Sequence, residues 1–207
     1  RDYIFHDPDN PWFVFTDYDL VYREDPYYSP IDEPRADGEA KTDGEGHLSL
    51  RLPADVSTDS VSQTFTIEVT LTDENNQEVS SRTEVIVHKG VFYIGLKPQS
   101  YVSQAGEPAS LDILTLDSER KVAPNVPMTV SIYEREWVSV KEKDPEGEYY
   151  WRCEPEDTLV ETLAARTDED GEGSLTFVPA KSGNYRLVAE AIDASGNSIR
   201  SATYVWV

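Results

Sequence analysis

The sequence contains many ionisable residues, but their types and spacing do not form a recognisable catalytic set. Its three histidines, His6, His47 and His88, are far apart, and no His-Glu-x-x-His, Gly-x-Ser-x-Gly, Gly-Lys-Ser/Thr or Cys-x-x-Cys motif occurs. With 40 aspartates and glutamates, a carboxylate pair at glycosidase separation would arise by abundance alone. The sequence therefore predicts a protein that is not an enzyme and that has no catalytic residues, metal site or cofactor.

Acidic residues near Asp168 suggest calcium binding, because calcium takes several oxygen ligands from one loop. The run Asp168-x-Asp170-Gly171 is a fragment of a calcium-loop motif, but it lacks the distal bidentate glutamate at the required spacing. Asp17 and Asp19 also stand together without a complete ligand loop. An ordinary turn is favoured over a calcium site at Asp168, because the same pattern recurs as a turn upstream.

The single cysteine, Cys153, cannot form an internal disulfide. Arg152 precedes it, and Glu154 and Pro155 begin an acidic run after it, a context that disfavours a reactive thiolate. The sequence predicts an inert, half-buried cysteine.

Segment 134–158 has the least regular pattern of the chain. A turn signal, Asp144-Pro145-Glu146-Gly147, separates two aromatic runs that could pair as a long hairpin projecting from a sheet. One interpretation is an extended hairpin with a packing role only, and the other is an exposed interaction or protease-accessible loop. The residues singled out for the second interpretation, as sites for tryptic cleavage, are Arg135, Lys141, Lys143 and Arg152.

Residues 1–34 are rich in aromatic and acidic residues, which allows two interpretations. Exposed aromatic rings among carboxylates could stack on sugar rings, whereas the same aromatics could form the inward face of a strand. The strand interpretation is favoured. A carbohydrate-binding module would use Trp12, Tyr27, Tyr28, Tyr150 or Trp151.

A diverged internal repeat sets the domain organisation. Residues 64–87 and 184–207 align without a gap, with identical pairs that include Asp73 with Asp193 and Val87 with Val207. Upstream, residues 42–54 correspond, with small gaps, to residues 167–180. A long fixed period indicates two copies of one module.

Within each copy, apolar residues recur at every second position, which is typical of strands with one buried face. Turn signals between short strands and the module size predict an immunoglobulin-like antiparallel β-sandwich. The chain is therefore expected to be all-β, with one module in residues 1–89 and a second in residues 90–207. The first module, with strands expected near 47–52, 63–72 and 79–88, lacks counterparts of the opening strands of the second, which indicates an excised piece of a longer protein.

Charge and hydropathy exclude several partners. The formal net charge of −22 would repel phosphate backbones and anionic lipid headgroups, so nucleic acid is not expected to bind. The sequence has no apolar run long enough to cross a bilayer, so this segment is not expected to insert into a membrane.

Four stretches of the sequence resemble a known family: TDGEGHLSLRLPA at 42–54, TFTIEVTLTDENNQEVSSRTEVIVHKGVFYIGLKP at 64–98, VAPNVPMTVSIYEREW at 122–137, and the segment from ARTDEDGEGSLTFVPA to SATYVWV at 165–207. They are similar to the macroglobulin-like domains of bacterial alpha-2-macroglobulins, near the bait-region domain. The resemblance covers most of the chain from Ala36 onward.

This resemblance implies a scaffold segment of a protease trap, in which cleavage of a bait segment triggers entrapment of the protease. It further implies an extracytoplasmic location, with neighbouring domains of the parent protein as partners and proteases as partners of the full-length protein. The Cys-Gly-Glu-Gln thioester motif of many members is absent, because Cys153 is followed by Glu154 and Pro155. The alternatives are tandem domains of a surface adhesin or spacer and, less favoured, a carbohydrate-binding module.

Overall fold

Antiparallel strands provide nearly all the regular structure of the chain. The computed structural model describes residues 1–21, 34–143 and 147–207, and these ranges contain nine strands and one short helix, α1 (Tyr18–Val21). The chain divides into unit 1, formed by Arg1–Tyr3 and Asp19–Lys89, and unit 2, formed by Ile4–Tyr18 and Gly90–Val207. The predicted all-β class is confirmed. Residues 4–18, placed in the first module from the sequence, pack in unit 2.

Unit 1 contains a two-stranded antiparallel sheet of β1 (Gln63–Thr72) and β2 (Glu78–Val87). The strand predicted near 47–52 is wrong: this segment has no strand structure, and Leu48, Leu50 and Leu52 are all exposed. Their alternation is suited to a strand, but a strand needs a neighbour for its backbone hydrogen bonds. Among the described residues, none pairs with this segment, so β1 and β2 are the only strands described in unit 1.

Unit 2 consists of two antiparallel sheets. The first contains β3 (Tyr93–Pro98), β4 (Ala109–Leu116) and β7 (Glu172–Phe177) in that spatial order. The second has the order β6-β5-β8-β9, with β5 (Pro127–Lys143), β6 (Tyr149–Arg166), β8 (Asn184–Ile192) and β9 (Ser198–Trp206). The inward residues of both sheets form one hydrophobic core, which includes the fully buried Ile94, Leu96, Leu111, Val130, Ile132 and Leu187.

The internal repeat corresponds to the same hairpin formed twice. In unit 1, Phe65 pairs with Val85 across β1 and β2; in unit 2, Tyr185 pairs with Val205 across β8 and β9. Both registers keep the alignment of the two sequence copies. The hairpins predicted from the repeat are therefore confirmed.

One turn geometry recurs at five aspartates: Asp43, Asp73, Asp117, Asp168 and Asp193. In each turn, the Oδ1 atom accepts hydrogen bonds from the backbone N–H groups two and four residues later, at 2.7–3.0 Å. The residue three positions after the aspartate has a positive φ in every case: Gly46, Asn76, Arg120, Gly171 and Gly196. Aspartate is suited to this position because its short carboxylate caps nearby backbone donors.

Candidate functional site

The hairpin of β5 and β6 continues well past the sandwich. The ladder between β5 and β8 ends at Arg135↔Asn184, whereas β5 and β6 remain paired as far as Lys143↔Tyr149. We refer to residues 136–143 and 149–156 as the arm. No described residue between 133 and 162 belongs to the core of unit 2. Segment 134–158, in its described part, is therefore a paired hairpin.

The register of the arm separates its side chains onto two faces, because directly opposed residues in an antiparallel pair share one side of the sheet. The first, which we call the cationic face, carries Trp137, Ser139, Lys141 and Lys143 from β5 and Tyr149, Trp151, Cys153 and Pro155 from β6. The second, the acidic face, carries Glu136, Val138, Val140 and Glu142 from β5 and Tyr150, Arg152, Glu154 and Glu156 from β6.

Aromatic rings and ammonium groups lie together on the cationic face. The Nζ atom of Lys141 lies 4.4 Å from the ring centroid of Tyr149 and 5.9 Å from that of Trp151. The Nζ atom of Lys143 lies 5.6 Å from the same tyrosine ring. These distances are typical of cation–π contacts, in which an ammonium group can keep much of its hydration.

The acidic face has its own contacts. The Arg152 guanidinium donates to Glu154 Oε1 through Nε at 3.0 Å and Nη2 at 2.6 Å, and lies 3.9 Å from Glu142. The hydroxyl of Tyr150 donates to Glu142 at 2.5 Å. Arg152 is half-buried and held by these carboxylates, so it is a weaker candidate for cleavage than Lys141 and Lys143, which are exposed.

Arg135 lies at the base of the arm, and its expected exposure is wrong because only 6% of its surface is accessible. Its Nε and Nη2 atoms donate to the two carboxylate oxygens of Asp157, each at 2.7 Å, and Nη1 donates to the hydroxyl of Tyr204 at 2.9 Å. Such a bidentate pair holds the guanidinium in one orientation and neutralises its charge. Arg135 therefore anchors the arm to β9 instead of presenting a cleavage site.

The strap, which we define as residues 4–18, lies between β3 and β9. Val14 and Leu96 exchange two backbone hydrogen bonds of 2.9 Å, and Ser201 Oγ donates to the carbonyl of Val14 at 2.9 Å. The ring of Phe15 packs so closely on β3 that a Cβ on Gly95 would lie 2.6 Å from it. The strap thus covers the open side of the sandwich between these strands.

The strap shows which of the N-terminal aromatic side chains are buried and which are exposed. Phe5 and Phe15 are buried, and Phe5 stacks on Tyr93 with ring centroids 4.1 Å apart. Trp12 is 74% exposed, while Tyr27 and Tyr28 lie outside the described residues. Phe5 and Phe15 thus pack inward as expected, but the predicted strand is wrong: the described residues 1–21 form isolated β-bridges and no strand, and Trp12, expected on the inward face, is exposed.

A buried ion network joins the strap to the base of the arm. Asp17 is fully buried and accepts from Arg186 Nη2 at 2.7 and 2.6 Å and from Arg200 Nε at 2.8 Å. The same Arg186 donates through Nη1 to Asp157 at 3.3 Å. One guanidinium group thus links a carboxylate of the strap with a carboxylate of β6. The sequence shows only that Asp17 lies close to Asp19. It gives no signal for a contact with Arg186, because that residue is 169 positions away.

The described residues contain no group of three or more His, Cys, Asp or Glu side chains arranged to hold a metal ion. At Asp168, one carboxylate oxygen, Oδ1, accepts both backbone hydrogen bonds of the turn. His88 packs edge-on against Tyr3, with centroids 5.8 Å apart, and burial lowers its pKa. Both groups have structural explanations.

Cys153 is exposed, so its predicted half-burial is wrong. Its sulfur lies 3.7 Å from the Ser139 hydroxyl across the arm. The glutamates next to it in sequence, Glu154 and Glu156, lie on the acidic face, because successive residues of a strand point to opposite sides. The acidic context inferred from the sequence therefore does not surround the thiol.

Comparison with known families gives a match for the sandwich of unit 2. The family model described as bacterial macroglobulin domain 6 matches residues 95–206, more than half of the chain. The chain belongs to this family. The match includes most of β3, all of β4 to β9 and the whole arm.

Solved structures of larger proteins share the fold of this macroglobulin-domain chain. The native conformation of Escherichia coli alpha-2-macroglobulin matches 95% of the chain with a TM-score of 0.60 and 16% identity. Salmonella alpha-2-macroglobulin matches 97% when reacted with methylamine (TM-score 0.60) and 100% as its Y1175G mutant (TM-score 0.63), with 13% identity in both. The chain spans only 12–14% of the length of these structures. No curated protein sequence matches the chain.

The helix content bears on membrane association. In the parts of the chain that the structure describes, no helix combines the length and the hydropathy needed to cross a bilayer.

Proposed function

We propose that this chain is a non-catalytic scaffold segment of a bacterial alpha-2-macroglobulin-like protease inhibitor. The observation that carries the proposal is the match of residues 95–206 to bacterial macroglobulin domain 6. A rigid sandwich suits this role, because a tightly packed core transmits force between its ends with little deformation. Neighbouring domains of the parent protein are its direct partners, and proteases are partners of the full-length protein in an extracytoplasmic compartment.

Two macroglobulin-like modules, predicted as residues 1–89 and 90–207, make up the segment in this proposal, with residues 4–18 assigned to the second module because they pack in unit 2. Support comes from comparing equivalent positions of the repeat. Ala189 and Ala191 are 0% and 5% exposed in unit 2, whereas Val69 and Leu71 are 47% and 56% exposed in unit 1. In unit 2 these positions lie in the core beneath the opposite sheet. We infer that the same face of unit 1 is covered by a neighbouring domain of the parent protein.

The test uses the full-length parent protein. After incubation with trypsin, a trap would protect a large protein substrate from digestion while a small peptide substrate is still cleaved, because only the latter reaches an enclosed protease. Equal retention of the two activities would refute the inhibitor function, and equal loss would indicate a blocked protease active site instead of a trap. A surface adhesin or spacer would leave both activities unchanged.

Limited proteolysis tests which part of this segment is accessible. Lys141 and Lys143 are exposed but lie in a paired ladder, and proteases require extended, unpaired substrate. Early cleavage after either lysine, with both units intact, would support a protease-accessible role for the arm. Resistance of the arm under conditions that cut the chain elsewhere would assign it a structural or binding role.

A further inference from the structure

The arm carries its lysines on one face and its glutamates on the other. Between the pairs Trp137↔Pro155 and Lys143↔Tyr149, both lysines lie on the cationic face. The glutamates of the arm, Glu136, Glu142, Glu154 and Glu156, lie on the acidic face. Among its described residues, the cationic face therefore carries two lysines and no carboxylate, on a chain whose formal net charge is −22.

The same face exposes three large aromatic side chains. Trp137, Tyr149 and Trp151 have 60%, 63% and 68% of their surface accessible. Burying such rings supplies much of the energy of protein interfaces, where tryptophan and tyrosine are enriched among the residues that dominate affinity. Stability of the sandwich does not explain this exposure, because the rings lie outside the core of unit 2.

The counter-charges of the arm lie on its opposite face. Ion pairs within the described part of the arm join Arg152 to Glu142 and Glu154. Lys141 and Lys143 instead contact the rings of Tyr149 and Trp151. The lysines and tryptophans thus form a mixed surface that complements carboxylates next to apolar groups.

We propose that the cationic face of the arm is a docking surface for an acidic segment of another protein or domain. The carboxylates of the acidic segment pair with Lys141 and Lys143, while the apolar side chains of that segment cover Trp137 and Trp151. A long anionic polymer fits less well, because it extends beyond the arm and meets the net negative charge of the chain. A neutral glycan would use the rings but give the lysines no counter-charge.

The experiment measures binding of a short capped peptide of glutamate and leucine to the whole chain by isothermal titration calorimetry. A matched peptide has glutamine in place of every glutamate. We expect the acidic peptide to bind more tightly by about tenfold or more, and its affinity to fall as salt is added, because exposed charges are screened. Equal affinity for the two peptides, or no binding of either, would overturn the proposal.

Variants locate the site. Trp151→Ala and the double change Lys141→Gln with Lys143→Gln should each weaken binding by about tenfold or more. The matched controls are Tyr150→Ala on the acidic face and Lys121→Gln outside the arm, which should leave the affinity unchanged. Circular dichroism checks that each variant is folded.

Alternative ligands are tested with polygalacturonate and cellohexaose. Binding of either that depends on Trp151, without binding of the acidic peptide, would replace the proposal with a glycan site. The proposal does not depend on the inhibitor function, since the peptide experiment uses this chain alone and the trypsin experiment uses the full-length protein.

Discussion

Asp17 and Arg186 form a buried ion pair, with both carboxylate oxygens within 2.7 Å of one guanidinium nitrogen. The two residues are 169 positions apart in the chain, and the side chain of Asp17 is 0% exposed. The pair fixes the end of the strap against β8. The same guanidinium reaches Asp157, so the strap and the base of the arm share one cation.

Removal of the buried carboxylate should be strongly destabilising. In Asp17→Ala, Arg186 loses its closest counter-charge in a site where it is 5% exposed, so we expect a loss of about 3–5 kcal/mol in the free energy of unfolding. Urea denaturation followed by circular dichroism measures it. Glu190→Gln is the matched control, because Glu190 is a half-exposed partner of Arg200, and its loss should cost less than about 1 kcal/mol. Similar effects of the two changes would contradict the central role of Asp17.

The close approach of Phe15 to Gly95 gives a second prediction. Gly95→Ala places a methyl group 2.6 Å from a ring atom of Phe15, so the ring must move away, and overpacking of this kind costs about 1–3 kcal/mol. Gly38→Ala is the control, because a Cβ added at Gly38 would meet nothing within 4 Å and its φ is not in the left-handed region. Thermal unfolding of both variants checks the difference, and an unchanged midpoint for Gly95→Ala would mean that the strap does not lie on β3 in solution.

The five aspartate turns predict substitutions of opposite sign at equivalent positions. Arg120 has a φ of 66°, which is unfavourable for a side chain with Cβ, so Arg120→Gly should stabilise the protein by about 0.5 kcal/mol after the entropic cost of glycine. Gly171 has a φ of 73°, and an added Cβ would lie 2.8 Å from the carbonyl oxygen of Thr115, so Gly171→Ala should destabilise it. Denaturant midpoints of the two variants should therefore move in opposite directions from the parent chain. A shift in the same direction would show that the turn conformation is not set by φ.

Asp193 predicts a dependence of stability on acid. Burial raises its pKa, but hydrogen bonds from Asn197, Ser195 and the Val91 backbone outweigh burial, and the pKa lies below its ordinary value of 3.8. Its contribution is therefore complete above pH 3.8 and is lost as the pH falls through the lower pKa of the folded state. In Asp193→Asn the decline in unfolding free energy over this acidic range should be shallower than in the parent chain. Unfolding curves measured at several pH values below about 5 test this, and parallel curves would contradict it.

The position of Cys153 on the exposed arm predicts rapid labelling. Ellman's reagent should react with the folded chain at nearly the rate seen in urea, because unfolding uncovers little more of this thiol. Strong protection in the folded chain would contradict the exposed arm. Trp151→Ala, which removes a neighbour on the same face, should leave this rate nearly unchanged.

The sequence by itself determined the features that depend on neighbouring residues. Alternating apolar positions and the aspartate turn predicted the hairpin that ends at Val87 and its repeat that ends at Val207, because strand periodicity and turn hydrogen bonds involve residues a few positions apart. The net charge argued against nucleic-acid binding, and the absence of catalytic motifs argued against an enzyme. The resemblance to bacterial macroglobulin domains agreed with the family match to residues 95–206.

Only the tertiary structure decided the features that depend on distant partners. The alternation at 47–52 predicted a strand, yet this segment lacks one because a strand forms only when another supplies its hydrogen bonds. The accessible-loop interpretation of segment 134–158 made Arg135 a candidate cleavage site, whereas the fold brings Asp157 and Tyr204 to it across the sheet. The two faces of the arm likewise follow from the register of β5 against β6, because only cross-strand pairing determines which lysines and tryptophans share one side.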